Sequence, residues 1–158
     1  MIVVTDTGPL IALSKIAQLP LLQRLFGTVF IPLAVHDELV LQGQGRPGCE
    51  IAEVDWVRVS GVEDETAVRL LKAQLDAGES EAIVLAVQLN ADLLIMDEWR
   101  GRRQAEGLGL TLAGSVGVLI AAKRVELIDA VTPLLDQLRI EQVRISQRLY
   151  EVARVLAD

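Results

Sequence analysis

The stretch from Gly78 to Arg103 sets what this chain can fold into. Ala82–Leu89 is almost wholly apolar, Asn90-Ala91-Asp92 interrupts it, and Leu93–Met96 is apolar again. The first run has the length of a helix and the second that of a strand, and both belong in a core. Acids stand at the borders: Glu79 and Glu81 at the helix start, Asp97 and Glu98 at the strand end. Carboxylates drawn toward an apolar interior are unfavourable unless their charge is compensated. A metal cation is one candidate for that compensation.

The other segments supply the layers around this unit. Ile2–Thr5 is β-branched and ends at Asp6, which predicts a strand buried on both faces. Pro9 suits the first turn of the following helix. A helix over Leu19–Phe26 stops at Gly27, and Thr28–Ile31 is a second strand. Pro32 opens a helix over Leu33–Leu41 that carries His36, Asp37 and Glu38; Gln42–Gly48 is a loop. A strand at Trp56–Val59 and a helix at Glu65–Leu75 precede the helix Glu79–Leu89 and the strand Leu93–Met96. A charged helix Glu98–Glu106, a strand Leu110–Leu112 and a helix Gly114–Lys123 follow. Two further helices, Ala130–Leu138 and Ser146–Leu156, form the tail. Short strands separated by helices predict an α/β fold with a mostly parallel sheet.

Ligands of such sheets bind outside the carboxyl ends of the strands, where the strand order switches. Asp6 follows the first strand and Asp97 the fourth, so both carboxylates face one crevice if those strands are neighbours. Helix starts lie at the same edge, which brings Glu81 near; Glu38, inside its helix, is the less secure fourth member. Each acid also has a plainer role. Asp6 and Asp97 suit helix caps, Glu79 suits a capping box with Asp76, and Glu38 suits a solvated helix face. Several acids at one sheet edge exceed what caps require. Clustered carboxylates need a cation, and Mg²⁺ or Mn²⁺ prefers such hard oxygen ligands. Metal-assisted phosphodiester hydrolysis would use them. Thr7, Ser115, Glu79 and Glu98 are auxiliary candidates. Arg100, Arg102 and Arg103, directly after the acids, are candidates for holding a phosphate backbone, with an ordinary solvated helix face as the alternative.

Composition removes other classes. With 158 residues one core suffices. Although 51 % of residues are hydrophobic, no uncharged apolar run reaches the roughly 18 residues of a membrane span. The first residues run straight into structure without a basic leader, so no signal peptide is expected. One cysteine, Cys49, gives neither an internal disulfide nor a cysteine metal cluster and suits a reducing cytoplasm. A net charge of −7 opposes coating of nucleic acid by bulk charge, and 3 % aromatic residues argues against base-stacking platforms. Asp6-Thr7-Gly8 matches the aspartic-protease triplet in a chain too helical for that chemistry. Gly43-x-Gly45-x-x-Gly48 lacks the preceding strand of a dinucleotide site. A phosphotransferase using Asp6 as nucleophile is a weaker third class. On the last helix Ile145, Leu149, Val152 and Leu156 form one apolar stripe. It either packs on the domain or forms a seam with a partner, and a homodimer is expected.

Taken in order, these residues resemble the PIN-domain family. The resemblance covers about residues 1–125: a strand into Asp6-Thr7, a helix with Glu38, Glu81-Ala82-Ile83 opening an apolar helix, and Leu-Ile-Met-Asp97 closing a strand. Gly78-Glu79-Ser80-Glu81-Ala82 with Asp97-Glu98-x-x-Gly101-Arg102 is similar to a prokaryotic branch near the toxin ribonucleases of type II toxin–antitoxin pairs. The resemblance implies a three-layer α/β/α fold with a five-stranded parallel sheet of order 3-2-1-4-5. It implies a nuclease domain over 1–125; residues 126–158 lie outside the match and are expected to form a helical extension packed on the same domain. It further implies a Mg²⁺ or Mn²⁺ site formed by Asp6, Glu38, Glu81 and Asp97, an activated water as nucleophile, and cleavage of single-stranded RNA. A small antitoxin protein is the implied partner. Two departures stand out: the third acid, commonly Asp, is Glu81, and a small polar residue often found two places after the first acid is Gly8. A catalytically weak binding module of the same fold is the alternative.

Overall fold

The computed structural model describes residues 1–158. The chain begins with β1 (Val3–Thr5), α1 (Thr7–Lys15), α2 (Pro20–Phe26), β2 (Val29–Pro32) and α3 (Leu33–His36). It continues through β3 (Val57–Ser60), α4 (Glu65–Leu71), α5 (Ala77–Gln88), β4 (Leu93–Ile95) and α6 (Trp99–Gly107). It ends with β5 (Leu112–Ala113), α7 (Ser115–Arg124), α8 (Thr132–Ile140) and α9 (Gln147–Ala157). The five strands form one parallel sheet of order β3-β2-β1-β4-β5, as the resemblance implies. All three residues of β1 are buried, because helices cover both faces.

Side chains alternate across a strand, and the core divides accordingly. Val3 and Ile95 point into a cluster with Leu10, Leu119, Leu135 and Ala153, so α1, α7, α8 and α9 cover that face. Val4, Leu94 and Met96 point the other way, against Ala82, Ile83, Leu85 and Ala86 of α5 and Ala105 of α6. The register sets Val3, Val4 and Thr5 opposite Leu93, Leu94 and Ile95. Beyond these pairs the two strands deliver Asp6 and Asp97 to the same edge. No helix is long and apolar enough to cross a membrane.

Some boundaries differ from those the sequence suggests. The helix predicted to run to Leu75 stops at Leu71, because Asp76 takes extended backbone geometry to cap α5. The fifth strand starts at Leu112 rather than Leu110, since the Leu110 amide donates to the Ala105 carbonyl at the end of α6. The helix after Pro32 is α-helical only through His36 and widens into a π turn over Asp37–Leu41, closed by the Gln42 amide on the Asp37 carbonyl at 2.9 Å. Cys49–Glu53 is a short 3₁₀ turn where no element was expected.

The last helix departs from its pattern most clearly. Ile145 packs against the core, but Leu149, Val152 and Leu156 remain 42 %, 46 % and 55 % exposed, so the helical part of the apolar stripe is largely left open. Instead α9 docks through small Ala153, which is fully buried, and through half-buried Tyr150. Polar contacts fix that orientation. The Tyr150 hydroxyl donates to Asp136 at 2.7 Å, and the Arg139 guanidinium lies 4.1 Å from the Tyr150 ring centroid. The Asp158 carboxylate accepts the Val131 and Thr132 amides at 2.9 and 2.6 Å.

Since Leu135 of α8 shares its cluster with β1 and α7, Leu135→Ala is expected to destabilise the entire domain by about 2–5 kcal/mol. Urea unfolding followed by far-ultraviolet dichroism and by Trp56 fluorescence should show one coincident transition. Early loss of helix with an unchanged Trp56 signal would instead mark residues 126–158 as a separate unit.

Candidate active site

The site begins where β1 ends. The Asp6 amide donates to the Ile95 carbonyl at 3.0 Å, which extends the β1–β4 ladder by one residue. Asp6 has the backbone geometry of a helix cap, yet its side chain makes no capping bond to α1. The carboxyl is only 5 % exposed. Burial raises its pKa to about 7; a backbone contact from Thr7 opposes the rise, and the charges of Asp76, Glu79 and Glu38 add to it.

Glu38 reaches the same place from the π turn. The Thr7 hydroxyl donates to Glu38 Oε2 at 2.5 Å. Gly43 permits this turn, since a Cβ there would stand 2.9 Å from the Glu38 carbonyl oxygen and 2.7 Å from that of Leu39. The third wall is the first turn of α5. A Cβ on Gly78 would lie 3.4 Å from Asp6 Oδ1, 3.4 Å from Thr7 Oγ1 and 3.5 Å from Glu38 Oε2. Three side-chain oxygens therefore gather beside the glycine at the start of α5. Gly78 was not a site candidate from the sequence. Its signal was a glycine inside a helical pattern beside acids, a placement that often has a packing or functional reason.

Glu79 keeps its expected structural role and adds to it. Its amide donates to Asp76 Oδ1 at 2.8 Å and its Oε1 accepts the Asp76 amide at 3.3 Å, completing the capping box. Its Oε2 is buried without a partner. Burial, then the hydrogen bond and charge of Asp76, hold the Glu79 pKa well above the carboxylate range.

The expected convergence of four acids does not form. Glu81 Oε1 accepts the Ala34 amide at the start of α3 at 3.2 Å. It still lines a hollow of about 390 Å³ with Asp37, Glu38, Asp76 and Gly78. Asp97 turns to the start of α7, where Oδ1 accepts the Ser115 amide at 2.7 Å and Oδ2 the Ser115 hydroxyl at 2.5 Å. With Glu98 and Gly8 it lines a separate hollow of about 330 Å³. No three acid, histidine or cysteine side chains stand close enough to one another to hold an ion. The physical reason is competition: helix starts offer unpaired amides, and the outer two carboxylates satisfy them. Among the arginines, Arg102 is committed to structure, its guanidinium donating to the Met96 carbonyl at 2.8 Å. Arg100 and Arg103 remain exposed.

A family model described as a PIN domain matches residues 2–158. The chain belongs to the PIN-domain family. The match includes α8 and α9, beyond the region in which the resemblance was read. Among solved structures, the PIN domain here is similar to a PilT N-terminus domain protein from the hyperthermophilic archaeon Sulfolobus solfataricus P2. That likeness has a TM-score of 0.51 at 20 % identity and covers 75 % of this chain and 90 % of the other. It shows the fold. No curated protein matches the chain. PIN domains are generally nucleases and generally use divalent metal ions. The donors gathered beside Gly78 have the chemistry such an ion takes, with two carboxylates and one hydroxyl near one another. Asp6, Thr7 and Glu38 bring hard oxygen donors to the space beside Gly78, and burial first, then the nearby acids, raise the Asp6 pKa.

The sign of a pH effect follows. In metal-free protein Asp6 holds its proton more tightly when folded than when unfolded. Its contribution to stability is full below its ordinary value of 3.8 and is lost as pH rises to about 7. At about 1.4 kcal/mol per pKa unit the loss amounts to a few kcal/mol. Urea unfolding in chelator from pH 4 to 7 should show wild type losing stability relative to Asp6→Asn. Parallel curves for the two proteins would refute the shifted carboxyl.

Proposed function

We propose that this PIN domain is a Mg²⁺- or Mn²⁺-dependent endoribonuclease that hydrolyses single-stranded RNA. We further propose that it is the toxin of a toxin–antitoxin pair and is restrained by a small antitoxin protein. The observation that carries the nuclease reading is the gathering of Asp6, Thr7 and Glu38 oxygens beside Gly78, at the end of β1. Asp6 and Glu38 would hold the cation there. When bound, it would supply charge stabilisation on the scissile phosphate and make water a better nucleophile.

This chain's own residues define the rest of the role. Thr7 fixes the rotamer of Glu38 through its hydroxyl. Burial of Asp6 keeps its carboxylate from being solvated, so a cation gains more from it than from an exposed acid. Glu81 and Asp97 flank this centre on two sides and are held in place by Ala34 and Ser115. The toxin assignment rests on the likeness of Gly78–Ala82 and Asp97–Arg102 to a prokaryotic branch that is itself similar to toxin ribonucleases. The cytoplasm is the proposed compartment, consistent with an RNA substrate and with Cys49 as the sole thiol.

A second reading has its own observation. Asp97 spends both oxygens on Ser115, and Glu81 has a backbone partner, which favours a nucleic-acid- or protein-binding module with little activity.

Two variants separate the readings. Asp6→Asn should lower RNA cleavage by about a hundredfold or more. Gly78→Ala should fold normally, because its new methyl meets neighbours at ordinary contact distance and helix propensity improves by about 1 kcal/mol. That methyl crowds the Asp6, Thr7 and Glu38 oxygens beside which the ion would be held. Wild type should therefore gain melting temperature in millimolar Mg²⁺ or Mn²⁺ and cleave RNA, while Gly78→Ala does neither. Intact RNA with wild type and both variants, in either metal, would leave the binding module as the correct reading.

A further inference from the structure

The acidic centre accounts for chemistry at a phosphate but not for the grip on an RNA chain. The first turn of α6 carries an unusual surface. Trp99 is 58 % exposed, whereas the chain's other tryptophan, Trp56, is 8 % exposed. The Arg103 guanidinium lies over the Trp99 ring, 5.6 Å from its centroid. A hollow of about 550 Å³ opens beside them, lined by Gln74, Trp99, Arg100, Arg103 and Gln104. A second hollow of about 370 Å³ is lined by Glu79, Glu98, Gln74, Trp99 and Arg100. The two share Gln74, Trp99 and Arg100, so the hollow with the arginines adjoins the one that reaches Glu79.

The geometry points to Trp99 as a stacking platform for one unpaired base of the RNA substrate, with Arg100 and Arg103 holding the adjoining phosphates. This inference rests on the ribonuclease reading for the identity of the nucleic acid. An exposed indole gains nothing from the core, but it offers a base a π-face, and stacking on aromatic side chains contributes about 1–3 kcal/mol per base. Arg103 limits ring motion, so less order is lost when a base arrives. Neither arginine is ion-paired: the ion pairs of the structure are His36–Asp37 and Arg154–Glu151. Two unpaired guanidinium groups beside an aromatic ring, in a chain of net charge −7, make a local anion site. The hollow that holds both arginines is mostly polar and cationic, which suits a nucleotide better than an apolar protein surface, while Glu79 and Glu98 lie in the adjoining one. Gln74 and Gln104 approach each other at 3.4 Å and offer amide donors and acceptors to a base edge. The low aromatic content argued against a stacking platform; one well-placed tryptophan is enough for one base.

The test uses full-length protein carrying Asp6→Asn, so that RNA is bound but not cut. Titration with a ten-nucleotide single-stranded RNA in Mg²⁺ should quench the Trp99 fluorescence above a constant Trp56 background. Adding Trp99→Ala should weaken binding about ten- to a hundredfold, and Trp99→Phe should recover part of it. The same RNA in a duplex should bind weakly and without quenching, because its bases are already stacked. In otherwise wild-type protein, Trp99→Ala should raise KM more than it lowers kcat. Equal affinity with and without Trp99, or no binding to Asp6→Asn at all, would overturn the platform. Cleavage unaffected by Trp99→Ala would overturn it while leaving the ribonuclease reading standing. Quenching and Trp99-dependent binding with no cleavage by wild type would refute the nuclease and support the platform.

Discussion

The backbone bond from the Asp6 amide to the Ile95 carbonyl governs this molecule's polar centre. It continues the pairing of two fully flanked parallel strands past the last apolar residue. The carboxylate is thereby carried into surroundings built for Val3, Val4, Ile95 and Met96. A side chain fixed to that ladder cannot swing out to water. Its charge must be relieved by a proton or by a positive neighbour, and no lysine or arginine pairs with it. The sheet topology thus produces the electrostatic tension, because β1 and β4 are neighbours only where the strand order reverses.

The apolar runs made the sheet and α5 legible. Ile2–Thr5 and Leu93–Met96 are too short and too greasy to be anything but central strands, and Ala82–Ala86 are all buried as their composition demands. Asp6 and Glu38 could be nominated because topology and the PIN resemblance agreed on them. What could not be read was competition for each carboxylate. Whether Asp97 points at a shared centre or at Ser115 depends on a helix start eighteen positions away in sequence. The same holds for Glu81, whose partner Ala34 lies on a different helix. Gly78 and Gly43 were equally hidden, since the reason for a missing Cβ lies in atoms from other segments. The α9 stripe failed for another reason. A pattern of large apolar residues gives no weight to an alanine, yet Ala153 allowed the closest approach and set the face that docked.

Trp99 and Gly78 illustrate two ways in which a small acidic protein can prepare for a polyanion. One omits a Cβ, so that side-chain oxygens can gather beside a helix start. The other adds a large ring in solvent and steadies it with a cation. Gly78 lies in the first turn of α5 and Trp99 opens α6, and the α5 capping box holds Glu79 next to the hollow that Trp99 lines. The helix is therefore the ruler against which the acidic and basic parts are spaced.

The π turn over Asp37–Leu41 has an evolutionary consequence. A π turn is an α-helix with one residue too many. Loss of one residue there would restore α geometry and rotate Glu38 about the helix axis by roughly 100°, away from Thr7 and Asp6. A lineage could therefore disable or recover the paired acids through a change of chain length alone, with every carboxylate retained in its sequence.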